Sequence, residues 1–360
     1  MKILTVIGAR PQFVKAAPVS KLLRKNNEEI LLHTGQHYDE NMSDSFFKDL
    51  NIPEPEYNLG VGSSSHGKQT GMMLEGIETA IMKENPDLVL LYGDTNSTIG
   101  GSLAAVKLHI PVAHIESGLR SFNRYMPEEI NRVTTDHLSS ILFAPTDEAV
   151  KNLENEGIPK ERIFRTGDVM YDAFLYAKSN LDMKSILEKF NLKENEYVLS
   201  TVHRPENTDS RSSLKNLLDG LNGSPKKVVL PLHPRTRSFM EKYSFKKEVW
   251  NNIQFIDPVG YLDFIGLEMG AWKIATDSGG IQKEAYMAKK PCITMRKQTE
   301  WVETVNAGWN VITSYNTHKI VENLNNFNPD YEQPPLYGDG RASYQISKAI
   351  DEFNSKKIPL

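Results

Sequence analysis

The sequence predicts an α/β protein made of two doubly wound halves, and three observations carry that prediction. Short apolar runs alternate with amphipathic segments of helix length, the pattern of parallel βαβ units. The alternation breaks once, at the polar stretch 178–196, and then starts again. The 360 residues also suit two domains at roughly 100–200 residues each. The halves are expected at 1–170 and 171–341, with a helix over about 342–360 beyond them.

Residues 2–7 form an apolar run closed by Gly8, which reads as a buried strand. Residues 12–25 carry Val14, Ala17, Leu22 and Leu23 at helical spacing, with Pro18 expected to kink the helix. A second strand follows at 30–33. Over 70–83, Met73, Ile77, Ala80 and Ile81 share one helical face. Strand 87–92 ends at Gly93-Asp94. Helix 101–108, strand 111–115 ending at Glu116, helix 128–138, strand 141–144 and helix 148–156 complete the first half. The second half has expected strands at 197–201, 227–232, 253–256, 272–275 and 292–295, and a helix over 277–288 behind a glycine turn. Open parallel sheets bind ligands beyond the carboxyl ends of their strands. Polar residues just past a strand are therefore the informative ones, and a cleft between the halves is the expected ligand site.

Composition narrows the function. Hydrophobic residues at 39% and charged residues at 24% exclude collagen-like and broadly disordered classes. A net charge of −4 argues against a general polyanion binder, so no nucleic-acid partner is expected. No apolar run approaches the roughly 18–20 residues that span a bilayer, and the first residues lack signal-peptide anatomy. No membrane partner is expected. Cys292 is the one cysteine; it excludes an intramolecular disulfide, fits a reducing cytoplasm, and reads as a buried structural thiol. No zinc-ligand cluster, HExxH or GxSxG sequence is present, so no metal is expected.

Each strand-end motif has a structural and a chemical reading. Gly8 to Gln12 is either a plain strand–helix turn or an anion site, with Arg10 and Lys15 as cations. Asp94 is either an N-cap or, with Glu116 after the neighbouring strand, half of an acid/base pair. Glu128 and Glu129 sit in the first turn of a helix opened by Pro127, where carboxylates favour the positive helix end. Glu128 and Arg132 lie four apart on one face. His203 titrates near neutrality and is followed by Arg204, which suits a phosphate. His233 occupies a similar strand end. Ser278 reads as a helix cap, while Gly279 and Gly280 allow close backbone approach to a phosphate. Glu284 reads as a ribose partner, and Phe264 as a base-stacking or core aromatic.

Taken jointly and in order, the segments 8–12, 93–98, 114–120, 127–132 and 276–284, together with His203, resemble those of the non-hydrolysing UDP-N-acetylglucosamine 2-epimerase family. The resemblance runs from Lys2 to Gly340. It implies two Rossmann-like domains facing a cleft, as in GT-B glycosyltransferases, with the C-terminal helix packing back on the first. It implies a UDP-sugar substrate, no cofactor, a homodimer, and a cytoplasmic place in polysaccharide biosynthesis. Asp94, Glu116, Glu128 and His203 would be catalytic, supported by Arg132 and Glu129. Ser278, Gly279, Gly280, Arg204 and His233 would meet phosphate or sugar, Glu284 the ribose and Phe264 the uracil. Arg10 and Lys15 would reach in from the first domain.

The implied reaction eliminates UDP across C1–C2 to a glycal and re-adds it after protonation on the opposite face of C2. This needs a base, an acid and partners for the leaving diphosphate. Two departures bear on substrate and regulation. Where the family commonly reads Thr-Glu-Arg-Pro-Glu, this chain has Thr299-Glu300-Trp301-Val302-Glu303, which resembles a branch including epimerases of UDP-2,3-diacetamido-2,3-dideoxyglucuronate. The Gln36-His37 segment keeps the family pair but not the basic residue that usually follows, so activation by a second substrate molecule does not follow from the resemblance. The alternatives are the diacetamido substrate, a hydrolysing epimerase, a GT-B glycosyltransferase, or a nucleotide-sugar binder without catalysis.

Overall fold

A computed structural model describes residues 1–36 and 52–356. The stretch 37–42, which carries the departure after Gln36, lies outside the described residues, as does the side chain of Arg10. The chain divides into two compact units, Met1–Leu175 with Tyr337–Leu360, and Tyr176–Leu336.

The first unit is built on seven parallel strands. They are β1 (Lys2–Ile7), β2 (Glu28–His33), β3 (Tyr57–Asn58), β4 (Leu88–Tyr92), β5 (Val112–Ile115), β6 (Ile141–Ala144) and β7 (Ile163–Arg165). Their spatial order is β3-β2-β1-β4-β5-β6-β7. Strand β4 is buried at every residue, which explains its unbroken Leu-Val-Leu-Leu-Tyr run: a strand covered on both faces has no polar side. The second unit carries β8 (Tyr197–Thr201), β9 (Lys227–Pro231), β10 (Ile253–Ile256), β11 (Lys273–Thr276), β12 (Cys292–Thr294) and β13 (Asn310–Ile312). Their order, β10-β9-β8-β11-β12-β13, repeats the first six strands of the other unit. The α/β class and the doubly wound plan are as the sequence predicts. Strand order reverses between β1 and β4 and again between β8 and β11, so the loops leaving those strands flank the switch points where such sheets bind ligands.

Three strands were not legible in the sequence. β3, β7 and β13 are two or three residues long, too short for any periodicity. Several helices also went unread, among them Arg211–Asn222, Pro234–Lys242 and Tyr261–Gly270. The helix expected at 101 begins at Asn96, because its first turn is polar yet buried among other polar groups. Helix Arg10–Leu23 runs through Pro18 without a break, so one missing backbone donor did not end it.

Cys292 is buried in the second unit, and burial pushes its thiol up to about 12. The C-terminal helix Ala342–Lys356 belongs to the first unit. Asp172 accepts hydrogen bonds from the amides of Ala342 at 3.1 Å and Ser343 at 2.7 Å. That carboxylate satisfies two donors at the helix start and complements its positive end. Ile346 and Ile350 are buried, and Asp351 accepts from Asn26 and Asn27 just past helix Arg10–Leu23.

Candidate functional site

In the first unit the sequence-predicted residues gather around the ends of β1, β4 and β5. Gly93 turns the chain with φ +61, and its amide donates to Ile115 O at 3.0 Å. Asp94 follows. It is not the helix cap: Thr95 is, in a reciprocal capping box with Thr98. The Asp94 carboxylate instead accepts from Arg132 Nη2 at 2.5 Å and remains 32% exposed. Glu116 leaves β5 in the left-handed region, φ +71, a conformation that costs a non-glycine residue about 1 kcal/mol or more and clusters at functional sites. Its carboxylate pairs with Lys15 Nζ, both side chains being nearly buried. A Cβ at Gly93 would sit 3.2 Å from Glu116 Oε2 and 3.4 Å from Lys15 Nζ. The turn before Asp94 therefore lies directly against the Glu116–Lys15 pair.

Helix Pro127–Leu138 supplies the supports. Glu129 is buried and accepts from the amides of Ser121 and Phe122, both at 2.9 Å, and from Arg132 Nη1 at 3.2 Å. It thus fixes Arg132, which fixes Asp94. Asn131 donates to Asp94 O at 2.9 Å. Glu128, one position earlier, is half-buried and has no hydrogen-bond or ion-pair partner among the described residues. Arg132 therefore pairs with Glu129 and Asp94 rather than with the carboxylate four positions back.

The turn after β1 is held by Gln12. Gln12 Oε1 accepts from the amides of Gly8 at 2.8 Å and Ala9 at 3.0 Å, while Gln12 Nε2 donates to Tyr92 O at 2.7 Å. The amides of Gly8 and Ala9 are therefore already engaged. Gln12 was not singled out in the sequence, yet it staples the β1 loop to the β4 loop.

In the second unit the centre is Asp277, fully buried after β11. Its carboxylate accepts from the amides of His203 and Arg204, both at 2.9 Å, and from Asn207 Nδ2 at 3.0 Å. The His203 ring meets it through Nδ1 at 3.2 Å. Burial pushes the Asp277 carboxyl up, but these donors outweigh it and hold it below its ordinary value. A buried carboxylate on Nδ1 fixes the imidazole and leaves Nε2 for chemistry. The His233 ring lies 5.2 Å from that of His203, so the two strand-end histidines do meet. His233 also caps helix Pro234–Lys242, its Nδ1 accepting from the Arg235 amide.

Ser278 is the N-cap residue of helix Gly279–Met287, but its hydroxyl makes no capping bond. The first-turn amides therefore lack a side-chain cap at an end that attracts anions. A Cβ at Gly279 would collide with the Glu300 carboxylate, whereas one at Gly280 would meet Ser278 Oγ at an unstrained 4.0 Å. Glu300 accepts from Arg296 Nη1 at 2.8 Å. Burial raises its carboxyl, and the charges of Arg296 and Arg204 pull it below the usual range. Arg204 Nε is buried with no hydrogen-bond partner among the described residues. Glu284 is buried one helical turn and a half further on. Phe264 is half-buried and packs against the cluster containing Tyr197, Leu199 and Ile274. Trp301 is buried, with Lys283 Nζ 4.3 Å from its ring centroid. Among the described residues, no group of three or more His, Cys, Asp or Glu is arranged to hold a metal, and no helix is long and apolar enough to cross a membrane.

Sequence reasoning missed Asp277, Gln12 and Asn131. Asp277 had a signal, a carboxylate between a buried strand and Ser-Gly-Gly. The Gln12 contact with Tyr92 and the Asn131 contact with Asp94 had none, since those partners lie 80 and 37 positions away.

Comparison with known proteins gives a concordant result. A family described as UDP-N-acetylglucosamine 2-epimerase matches residues 20–351. A Methanococcus maripaludis protein named UDP-N-acetylglucosamine 2-epimerase homolog is 54% identical, over 97% of this chain and 99% of that one. The UDP-2,3-diacetamido-2,3-dideoxy-D-glucuronate 2-epimerase of Pseudomonas aeruginosa is 49% identical, with the same coverages. The crystal structure of Methanocaldococcus jannaschii UDP-GlcNAc 2-epimerase in complex with UDP-GlcNAc and UDP superposes with a TM-score of 0.88. It is 41% identical, over 98% of this chain and 100% of that one.

Proposed function

The chain belongs to the UDP-N-acetylglucosamine 2-epimerase family, and from that premise we propose that it interconverts UDP-N-acetylglucosamine and UDP-N-acetylmannosamine. The observation that supports this best is the pair of carboxylates at neighbouring strand ends, Asp94 held by Arg132 and Glu116 held by Lys15. Inverting C2 requires one group to take its proton and another to return a proton from the opposite face. Asp94, Glu116 and Glu128 supply carboxylates for those transfers. The C2 proton leaves as the C1–O bond breaks, giving a glycal and UDP; UDP then re-adds at C1 as C2 is protonated.

The second unit carries the nucleotide in this reading. The amides at Gly279 and Gly280, with Arg204, His203 and His233, stabilise the departing diphosphate. Glu284 holds the ribose and Phe264 the uracil.

A second reading keeps the reaction and changes the sugar. The 49% identity to the diacetamido-uronate epimerase and the Trp301 segment favour UDP-2,3-diacetamido-2,3-dideoxyglucuronate. Incubation of each UDP-sugar in heavy water, followed by NMR, tests both. The expected result is a gluco and manno UDP-sugar mixture, deuterated at C2, without added NAD. Turnover of the uronate alone selects the second reading. Product without deuterium refutes elimination with solvent exchange, and free sugar as the main product means hydrolysis.

A further inference from the structure

We propose that His114 is a positioning residue for the acid/base loop, acting through the carbonyl of Gly93. The inference rests on the reading of Asp94 and Glu116 as acid/base groups.

His114 is fully buried in β5, two residues before Glu116. Its Nε2 lies 2.7 Å from Gly93 O and its Nδ1 2.7 Å from Asp136 Oδ1. A carbonyl and a carboxylate only accept, so the ring donates from both nitrogens. Asp136 in turn accepts from the Gly118 amide at 3.0 Å and Arg120 Nη1 at 2.7 Å. Arg120 is itself held by both oxygens of Glu156, each at 2.7 Å. The ring is thus clamped from behind by a buried network, and its forward hydrogen bond goes to the residue before Asp94.

That contact matters because of where Gly93 sits. Its amide is bonded to Ile115 O at 3.0 Å, and its carbonyl is bonded to His114. The two bonds fix both peptide planes of a residue at φ +61, so strand β5 sets the direction in which the chain delivers Asp94. The same strand delivers Glu116 directly. One side chain therefore ties together the placement of two carboxylates that come from different strands. Satisfying Asp136 would need only the Nδ1 donor; the Nε2 contact serves the loop alone.

The two nitrogens can be tested separately, because an Asn amide mimics Nδ1 and a Gln amide mimics Nε2. His114→Gln keeps a donor for Gly93 and is expected to retain kcat within about tenfold of the wild type. His114→Asn keeps the donor for Asp136 and is expected to lose about 10²-fold in kcat with KM within threefold, as a misplacement near 1 Å costs. Hydrogen exchange at residues 93–95 should accelerate in His114→Asn and not in His114→Gln. Should His114→Asn fail to fold, His114→Gln alone decides: accelerated exchange at residues 93–95 with a loss of about 10²-fold in kcat would overturn the proposal. Equal losses in both variants, or full kcat in folded His114→Asn, would overturn the proposal. Absence of epimerisation by the wild type would instead strike the functional reading, and the exchange comparison would still judge the His114–Gly93 contact.

Discussion

Two aspartates occupy the same topological place in the two units and do opposite things. Asp94 follows β4 and Asp277 follows β11, each the strand beside the switch point of its sheet. Asp94 comes one residue later, after a glycine at φ +61, and its side chain is 32% exposed. Asp277 comes directly off its strand, is fully buried, and closes on the backbone after β8. One inserted left-handed glycine separates a presented carboxylate from a buried anchor. A strand-end acid in a doubly wound sheet is therefore not a catalytic residue by position; the turn before it decides.

The comparison breaks most sharply at the carboxylates of the first unit. Glu116→Gln is expected to lower epimerisation by about 10³-fold, read by NMR of the UDP-sugar, with UDP binding by calorimetry unchanged. Weakened UDP binding of the same size would place Glu116 with the nucleotide instead.

The anchor should behave differently. Asp277→Asn is expected to cost about 3 kcal/mol of stability in urea unfolding as well as activity. Asp277 and Asp136 are both held below the ordinary 3.8 when folded. Their stabilisation is thus present above that pH and is lost as pH falls through the folded-state values, where the unfolded chain binds more protons. Acid unfolding of Asp277→Asn should be shallower than that of the wild type.

The adjacent glycines give a finer contrast. Gly279→Ala meets Glu300 and should weaken UDP binding about tenfold with a lowered Tm. Gly280→Ala meets Ser278 Oγ at an unstrained 4.0 Å and should raise Tm slightly, since alanine suits a helix better by about 0.5–1 kcal/mol, while still weakening UDP. Unchanged UDP affinity in both would remove the helix start from the nucleotide site.

A third acid lies outside both sites. Glu268 is fully buried, neither oxygen has a hydrogen-bond partner among the described residues, and burial with nearby Glu284 raises its carboxyl well above 4.5. It stays protonated in the fold where the unfolded chain would ionise, so it weakens the fold increasingly as pH rises above that value. Glu268→Gln should therefore stabilise by about 1 kcal/mol or more at pH 7 and by nothing near pH 4, in paired denaturant titrations.

The long apolar strands were legible because burial on both faces leaves an unbroken hydrophobic run, as in β4. Asp94, Glu116 and His203 were legible because polar residues just past such runs face the switch point. The short strand β3 was not, since two residues have no period. Nor was Gln12, whose partner Tyr92 lies 80 positions away.

The sequence by itself determined the two-sheet plan, the family and the residue types at the strand ends, because periodicity and local motifs are properties of neighbouring residues. Only the tertiary structure decided which carboxylate is presented and which is buried, that Glu129 serves Asp94 through Arg132, and that His203 leans on Asp277. Those outcomes depend on dihedral angles and on donors brought together from distant segments, where burial makes each unpaired charge expensive and each pairing specific.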